Sequence, residues 1–347
     1  MTQLFSHLRV SSEYSISQGL LTVDQIVDNA IRNSVPSVAL TDKSNMFGLV
    51  KFFNKCESAG IKPISGSSIR LIFDDDETSY ELLCLAKTNN GHKNLMKIIS
   101  NAHNNSSFNS PIIRFNDLIE LKDDIIVISG GKDSHIFEYL KSNNISDATK
   151  RIEDFRNNFG DNFVLDVQLT NRIDEIEYLK NVLPIAKDKG IPLIATNDVL
   201  FAEQDDYEIH ETKVCINTGK TLNDPNRERV FSEHQYFKSP QEMMELFKDY
   251  DSLIDNTNEI SKKCNVSLET KGYFLPEYPV PKKHNFDSFL KEISTQRIES
   301  YIKDFDSKKH SEYLDRLNYE LEQIKTMGFS SYFLIVYDFI EWSKNND

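Results

Sequence analysis

The stretch SVALTDKSNMFGLVKFFNKCESAG, residues 37–60, contains the local pattern that decides the fold. Residues 37–41 are a short apolar run typical of a buried strand, and residues 46–58 have a helical pattern. Gly60 stands where the C-terminal cap of that helix is expected. A second apolar run, residues 61–73, comes directly after it. A strand, a helix and another strand in succession indicate an α/β protein.

The same alternation continues on both sides of this stretch. One helix is predicted after the capping box formed by Thr22 and Gln25, and another over residues 174–188, which Gly190 ends. Alternating strands and helices favour parallel pairing, in either a βα barrel or a doubly wound sheet. The apolar runs predict seven strands, at residues 4–10, 37–41, 61–73, 80–86, 125–129, 163–168 and 191–196.

The last third of the chain follows a different pattern. Prolines interrupt residues 222–281, and a domain boundary is predicted inside this region, giving domains 1–279 and 280–347. Helices are predicted at residues 286–305 and 312–327. Residues 331–342 are apolar almost all round, which predicts a helix buried on all sides. Because little sequence remains to bury such a helix, we expect the chain to be part of a longer polypeptide.

Composition excludes some classes of protein and indicates a compartment. The 347 residues include 40 basic and 54 acidic side chains, a net charge of −14, which argues against a stand-alone nucleic-acid-binding protein. Four scattered cysteines fit free thiols in a reducing compartment. There is no signal peptide, and no apolar run approaches the roughly 20 residues of a membrane span. A cytoplasmic location without a membrane partner is therefore expected.

Polar side chains stand near the ends of several predicted strands. In βα barrels the working residues lie at the carboxyl ends of the strands. One histidine and two or three carboxylates, accompanied by two cations, are a poor ligand set for a metal cluster, which needs several imidazoles and carboxylates without competing cations. The residues are His7, Arg9, Asp42, Lys43 and Asp198, with Glu81 as a further candidate.

Several segments resemble one family in order and in detail. HLRVSSEYS at residues 7–15 and ALTDKSNMFGLV at residues 39–50 resemble the first two motifs of the polymerase and histidinol phosphatase (PHP) domain in alpha subunits of bacterial DNA polymerase III. The resemblance covers essentially the whole chain. It implies a distorted seven-stranded βα barrel followed by the helical beginning of the polymerase palm. Further segments in the family's order are GIKPISG, ATNDV, TGKTLNDP and MGFSSYFLIV, at residues 60–66, 195–199, 218–225 and 327–336.

The sequence departs from the metal-binding members of the PHP family. Their HxHxH opening becomes His7, Arg9 and Ser11, and their Asp-His pair becomes Asp42-Lys43. Their Gly-x-Glu corresponds to residues 66–68, where two serines follow the glycine, and two later histidines are replaced by Glu81 and Leu200. The positions that still match are vestigial ligand positions, and they are His7, Asp42 and Asp198.

These departures suggest a different use for the former ligand positions. The guanidinium of Arg9 and the ammonium of Lys43 carry fixed positive charges. We expect them to form ion pairs with Asp42, Asp198 and Glu81 in place of metal ions. The resemblance therefore implies no metal and no catalytic residue in this chain.

The resemblance also implies a part in DNA replication. In the family, palm aspartates that bind magnesium carry out nucleotidyl transfer, and they follow a glycine-rich segment located after the stretch that corresponds to residues 342–345. Primer extension by residues 1–347 alone is therefore not expected. The family's PHP domain implies a metal-free scaffold that docks the proofreading exonuclease subunit and packs against the rest of the polymerase III core. DNA would be bound through other domains.

Two alternatives stay open at this point. One is a metal-dependent PHP phosphoesterase with proofreading or pyrophosphatase activity, which the substituted ligand positions argue against. The other is an unrelated βα-barrel hydrolase, which the order and density of the polymerase-like segments argue against. Metal content distinguishes the first alternative from a scaffold.

Overall fold

A computed structural model describes residues 4–76, 78–105, 111–268 and 275–346. The chain divides into two compact units, Met1–Leu268 and Glu269–Asp347. The domain boundary predicted between residues 279 and 280 falls within the second unit and stays a prediction. The predicted sites and the strands all lie in the first unit.

A mixed sheet forms the centre of the first unit. Neighbouring strands follow the order β1-β2-β3-β5-β6-β7, and β4 pairs with the second part of β2. The strand β4 was not predicted from the sequence. The strands are β1 Ser37–Leu40, β2 Lys62–Ile72, β3 Ser79–Ala86, β4 Ile112–Arg114, β5 Ile125–Ile128, β6 Phe163–Gln168 and β7 Leu193–Thr196.

The predicted parallel pairing is wrong for one strand. β3 runs antiparallel to both β2 and β5, whereas β1–β2, β5–β6 and β6–β7 are parallel pairs. The reason is the short connection at residues 73–78, because a parallel crossover needs about a dozen residues or more. Reversal of β3 brings its first residues to the edge where the other strands end.

Residues 4–10 connect the two edges of the sheet without forming a regular strand. His7 bridges Val38 of β1, and Val10 bridges Val199, just beyond β7. The amide of Ala39 donates to the carbonyl of His7 at 2.8 Å, so the segment is hydrogen-bonded to β1. The predicted strand at 4–10 is thus reduced to single bridges, because the segment bonds to one neighbour and then to the other. It closes the sheet into a distorted barrel rather than a doubly wound sheet.

Ten helices are described in the first unit. The predicted capping box is confirmed, since Thr22 Oγ1 accepts from the amide of Gln25 at 3.2 Å. Gly190 has a φ of +62° and ends α7, as predicted. The helices are α1 Val23–Arg32, α2 Leu49–Ser58, α3 Asn89–Asn105, α4 Phe115–Glu120, α5 His135–Lys141, α6 Ile145–Phe159, α7 Glu175–Lys189, α8 Tyr207–Thr218, α9 Pro240–Leu246 and α10 Asp251–Lys263.

Two apolar layers hold these helices and strands together. One fills the inside of the barrel, where Leu83, Ile128 and Ile194 meet Ile260 of α10. The other packs the outer faces of the strands against helices such as α3, α6 and α7. Strands buried on both faces explain why their sequences read as continuous apolar runs. All four cysteines are buried and free, and burial raises the pKa of Cys84 to about 12.

The second unit contains the helices α11 Phe286–Tyr301, α12 Ser307–Thr326 and α13 Ser330–Asn345. The last helix is not buried on all sides within this chain. Phe339 and Trp342 are each 68% exposed, and the buried residues of α13 are Ser330, Ser331 and Leu334. The helix α11 packs against one side of α13, and the opposite side is in contact with solvent. Among the described residues, no helix is both long and apolar enough to span a bilayer.

Candidate functional site

Four of the predicted site residues converge at one edge of the barrel. Lys43 follows β1, and Asp198 follows β7, so both lie at the carboxyl ends of parallel strands. Glu81 lies near the start of β3, and the reversed direction of that strand brings Glu81 to the same edge. Arg9 lies in the segment that closes the barrel, where its carbonyl accepts from the amide of Val199 at 3.2 Å.

A buried ion-pair network connects four of these residues. The Nε of Arg9 donates to Asp198 Oδ1 at 3.1 Å, and its Nη2 donates to Glu81 Oε1. The other oxygen of Glu81 lies 3.0 Å from the Nζ of Lys43. Arg9 is only 2% exposed, so its charge is almost completely removed from water. The structure thus brings Arg9, Lys43, Glu81 and Asp198 together, and we call these four residues the charge cluster.

The charges in this cluster stabilise one another. Burial by itself raises the pKa of Glu81, but the positive charges of Lys43 and Arg9 outweigh it and hold that pKa well below its usual range. Burial acts to lower the pKa of Arg9, and the charges of Glu81 and Asp198 outweigh it and raise that pKa. Both groups are therefore ionised at neutral pH. Removal of either partner would leave a buried charge without its counter-ion.

Further residues that the sequence analysis did not identify complete the network. The Nη1 of Arg172 lies 3.8 Å from Asp198 Oδ2 and 3.7 Å from Asp133 Oδ2. Gln235 Nε2 donates to Asp198 Oδ2 at 2.8 Å. Arg172 and Gln235 lie in loops without a recognisable motif, so no local signal marked them. Asp133 follows the Gly130-Gly131 pair, whose tight turn is a weak signal at best.

Asp42 does not take part in the expected pairing. Its carboxylate accepts from the amide of Ser12 at 2.7 Å and from the hydroxyls of Ser12 and Ser15 at 2.7 and 2.6 Å. Burial raises the pKa of Asp42 against the effect of these hydrogen bonds. Asp42 is therefore not the ion-pair partner of Arg9 or Lys43 that was expected, and it has a different role. Asp42 holds the loop that follows Arg9.

His7 is separated from the charge cluster. Its ring is fully buried, lies against Phe5 and Phe237, and its Nε2 is 2.8 Å from the carbonyl oxygen of Lys238. Burial lowers the pKa of His7 to about 4, so its imidazole is neutral at physiological pH. An imidazole packed in this way supports the barrel wall and does not face the carboxylates.

A second buried carboxylate lies beneath the charge cluster. Asp166 of β6 is fully buried and accepts from Ser129 Oγ at 2.8 Å, the amide of Gly131 at 2.7 Å and Thr196 Oγ1 at 2.9 Å. It thereby connects the ends of three neighbouring strands. Its position as the one charged residue in an otherwise apolar strand, FVLDVQ at 163–168, is a signal that the sequence analysis missed.

The turn after β5 requires glycine. Gly130 has a φ of +96°, and a Cβ added there would lie 2.2 Å from the carbonyl oxygen of Glu81. Gly190 is also left-handed, with a φ of +62°, but nothing lies within 4 Å of its added Cβ. The backbone of β3 therefore approaches Gly130 too closely for any side chain.

These two glycines provide a matched pair of substitutions. Gly190→Ala is expected to lower the free energy of unfolding by about 1 kcal/mol, the cost of a left-handed backbone. Gly130→Ala adds the clash with Glu81 and should cost about 2 kcal/mol or more. Urea denaturation measures both values. Equal losses for the two variants would contradict the close approach of β3 to this turn.

Comparison with known proteins shows which families the chain resembles. Residues 7–170 match the PHP domain family, and residues 288–347 match the family described as the bacterial DNA polymerase III alpha NTPase domain. The chain is 39% identical over 356 aligned positions to DNA polymerase III subunit alpha of Pseudomonas aeruginosa, covering 100% of this chain and 30% of that protein. The Escherichia coli K12 subunit is 38% identical over 350 positions, 99% of this chain and 30% of that protein.

Across its whole length the chain is similar to DNA polymerase III alpha subunits. It spans about 30% of the length of the curated relatives that it matches. Among solved structures, an amidohydrolase from Chromobacterium violaceum with bound sulfate and no metal aligns with a TM-score of 0.42 and 11% identity. That alignment covers 60% of this chain and 96% of the amidohydrolase.

The donors at this site do not fit a metal cluster. Glu81 and Asp198 already accept from Arg9, while His7 and Asp42 are bonded elsewhere. Within the part of the chain that the structure describes, no three His, Cys, Asp or Glu side chains are grouped so as to hold a metal ion. A guanidinium lies between the two carboxylates, where a cluster would need further anionic or imidazole ligands.

A cavity of about 480 Å³ opens above the charge cluster. Its lining mixes charges of both signs, among them Lys43, Lys132, Arg172, Glu81 and Asp133. Burial and the nearby charge of Glu81 raise the pKa of Asp133, against the effect of Arg172. The cavity has the polarity of an active-site cleft, while its floor is closed by ion pairs.

Proposed function

We propose that the chain is the N-terminal part of a replicative DNA polymerase III alpha subunit and that its first unit is a metal-free structural scaffold. The observation that carries the proposal is the position of Arg9 between Glu81 and Asp198. In this reading the guanidinium supplies the positive charge that a metal would supply in a phosphoesterase. The barrel would then have the fold of a hydrolase, and the charge cluster at its former metal site would stabilise that fold.

The polymerase reaction is assigned to the parts of the polypeptide that lie outside this chain. The support is the match of residues 288–347 to the alpha-subunit family and the coverage of about 30% of the relatives' length. Magnesium belongs to that reaction and is not expected to be bound here. The parent protein would synthesise DNA in the cytoplasm, and the chain by itself is expected to show no primer extension.

The proposed partner of the first unit is the proofreading exonuclease subunit, together with the remainder of the polymerase III core. Support comes from the PHP match at residues 7–170 and from the similarity to alpha subunits, since the resemblance described above implies this partner. Co-expression with the exonuclease subunit of the same organism tests the proposal. We expect the two proteins to co-elute from gel filtration in equal amounts.

The control for this experiment is an unrelated acidic protein of similar size and charge. Because the chain carries a net charge of −14, nonspecific electrostatic association must be distinguished from docking. The complex should persist at about 0.5 M salt, where the Debye length is only a few ångströms. Separate elution of the exonuclease at all salt concentrations, with both proteins in excess, would refute this part of the proposal.

A metal-dependent phosphoesterase is the alternative function. Hydrolysis of a phosphoester would need a metal to activate water and to neutralise the phosphate. The cations Arg9 and Lys43 at the former ligand positions argue against such a cluster. No manganese-stimulated hydrolysis of p-nitrophenyl phosphate is expected. Hydrolysis that is lost on Asp198→Asn would favour the alternative.

A further inference from the structure

A surface groove lies on the side of the first unit formed by α3 and the loop before α2. Its volume is about 610 Å³, and the residues that define it are Met46, Phe47, Met96, Ile99, Ser100 and Asn104. We call it the Phe47 groove. The Phe47 side chain is 70% exposed and that of Met96 is 44% exposed. Large apolar side chains left in contact with water on both walls of a groove indicate a binding surface.

The charge pattern around the Phe47 groove differs from that of the rest of the protein. The chain has 54 acidic residues among 347, yet residues 43–56 and 82–116 contain no aspartate or glutamate. These two stretches supply both walls of the groove. They also contain seven cations, which are Lys43, Lys51, Lys55, Lys87, Lys93, Lys97 and Arg114. In a strongly acidic protein, both sequence stretches that line this groove are therefore free of acidic side chains.

Two of these cations are placed on the groove face. Lys93 and Lys97 are exposed on α3, and their spacing from Met96 and Ser100 puts all four residues on one face of that helix. The other five are engaged elsewhere. Lys51 and Lys55 pair with Asp24, and Arg114 pairs with Asp74. Lys43 pairs with Glu81, and Lys87 donates to Asn162 Oδ1 at 3.1 Å. Lysine side chains beside apolar anchor positions complement a segment that carries carboxylates next to a large apolar residue.

We propose that the Phe47 groove binds an acidic peptide segment of a partner protein, with an aromatic or aliphatic side chain of that segment packed between Phe47 and Met96. Methionine side chains adapt to different apolar partners, which suits a peptide groove. A nucleic-acid strand is disfavoured, because two lysines neutralise few phosphates and the apolar lining is largely aliphatic. This inference goes beyond the proposed function and does not depend on it.

A direct binding measurement tests the proposal on the whole chain. The probe is a fluorescein-labelled peptide of about twelve residues, rich in glutamate, with a phenylalanine and a leucine one helical turn apart. The control probe has lysine in place of each glutamate. By fluorescence anisotropy, we expect the acidic peptide to bind and the basic peptide not to bind. Absence of binding by the acidic peptide would overturn the proposal.

A matched pair of double variants locates the binding. Met96→Asp/Lys97→Glu changes the Phe47 groove, and Ile176→Asp/Lys180→Glu makes the same change in charge on the exposed face of α7. The groove variant should lose at least about tenfold in affinity, and the α7 variant should stay within about twofold. All four positions are exposed, so both variants are expected to fold. Equal losses would refute the assignment to the groove.

Competition distinguishes the two kinds of acidic ligand. Single-stranded DNA of about twelve nucleotides is added to the complex of the chain with the acidic peptide. We expect little displacement at concentrations at which unlabelled peptide displaces the probe completely. DNA that displaces the probe more effectively than unlabelled peptide would contradict the proposal and would indicate a nucleic-acid surface instead.

Discussion

Arg9→Met is expected to lower the free energy of unfolding by about 3–5 kcal/mol, the cost of removing one partner from a buried ion pair. The substitution keeps the apolar part of the side chain and removes the guanidinium. Glu81 and Asp198 then lose their shared donor, while Lys43 and Arg172 remain at one side of each carboxylate. Urea denaturation followed by circular dichroism gives the free energy.

Two further variants make this prediction specific. Arg32 pairs with Glu203 at the surface, where the side chains are 61% and 57% exposed, so Arg32→Met should cost less than about 1 kcal/mol. Adding Glu81→Gln to Arg9→Met removes one of the two uncompensated carboxylates and should recover part of the loss. A cost of less than about 1 kcal/mol for Arg9→Met would show that the charge cluster does not stabilise the barrel.

Between pH 6.5 and pH 4, the free energy of unfolding of the wild type is expected to fall by about 3 kcal/mol more than that of His135→Phe. His135 is 3% exposed and packed among Tyr80, Tyr139 and Phe73. Burial, helped by the charge of Arg151, lowers the pKa of His135 to about 4. In the unfolded chain this imidazole gains its proton near pH 6.5, so falling pH favours unfolding until the folded imidazole also gains a proton near pH 4.

The measurement compares unfolding free energies of the two proteins at several pH values. The wild-type stability should fall more steeply than that of His135→Phe over this range, and the two curves should run parallel above pH 7. Tyr139→Phe alters the same aromatic cluster and removes no group that gains a proton in acid, so its curve should parallel the wild type. Parallel curves for wild type and His135→Phe would contradict the assignment.

Much of the barrel follows from the sequence because its strands are buried on both faces. Continuous apolar runs marked the positions of β1, β2, β3, β5, β6 and β7, while β4 is only three residues long and gave no signal. The direction of a strand was harder to predict than its position, because a run of apolar residues has the same pattern in either orientation. The length of the connection before β3 carried that information.

In the second unit, the sequence predicted the helix α13 but not the burial of its side chains. The apolar residues of α13 were correctly assigned to a helix, and their burial was inferred from composition alone. Whether an apolar helix is covered depends on which elements surround it, and this is a property of the tertiary structure. Exposed residues such as Phe339 and Trp342 show that a buried-helix pattern does not require burial within the same chain.

The candidate site was predictable where charge and strand position coincide. Arg9, Lys43, Glu81 and Asp198 were identified by their places near strand ends and by the PHP resemblance, and the structure brings them together. Asp42 was assigned to the wrong partners, because its nearest donors lie in the loop at residues 12–15 and local spacing did not reveal that contact. Arg172 and Gln235 approach from loops, and only the folded chain shows where those loops lie.

The proposal is that buried cations take the place of a metal cluster in this barrel. Its most direct test is elemental analysis for zinc, manganese and iron on the chain purified without a His tag or chelator and then dialysed with each metal. We expect well below one equivalent of each metal per chain. Two or more equivalents that are lost on Asp198→Asn would contradict the proposal and would make a metal-dependent phosphoesterase the better assignment.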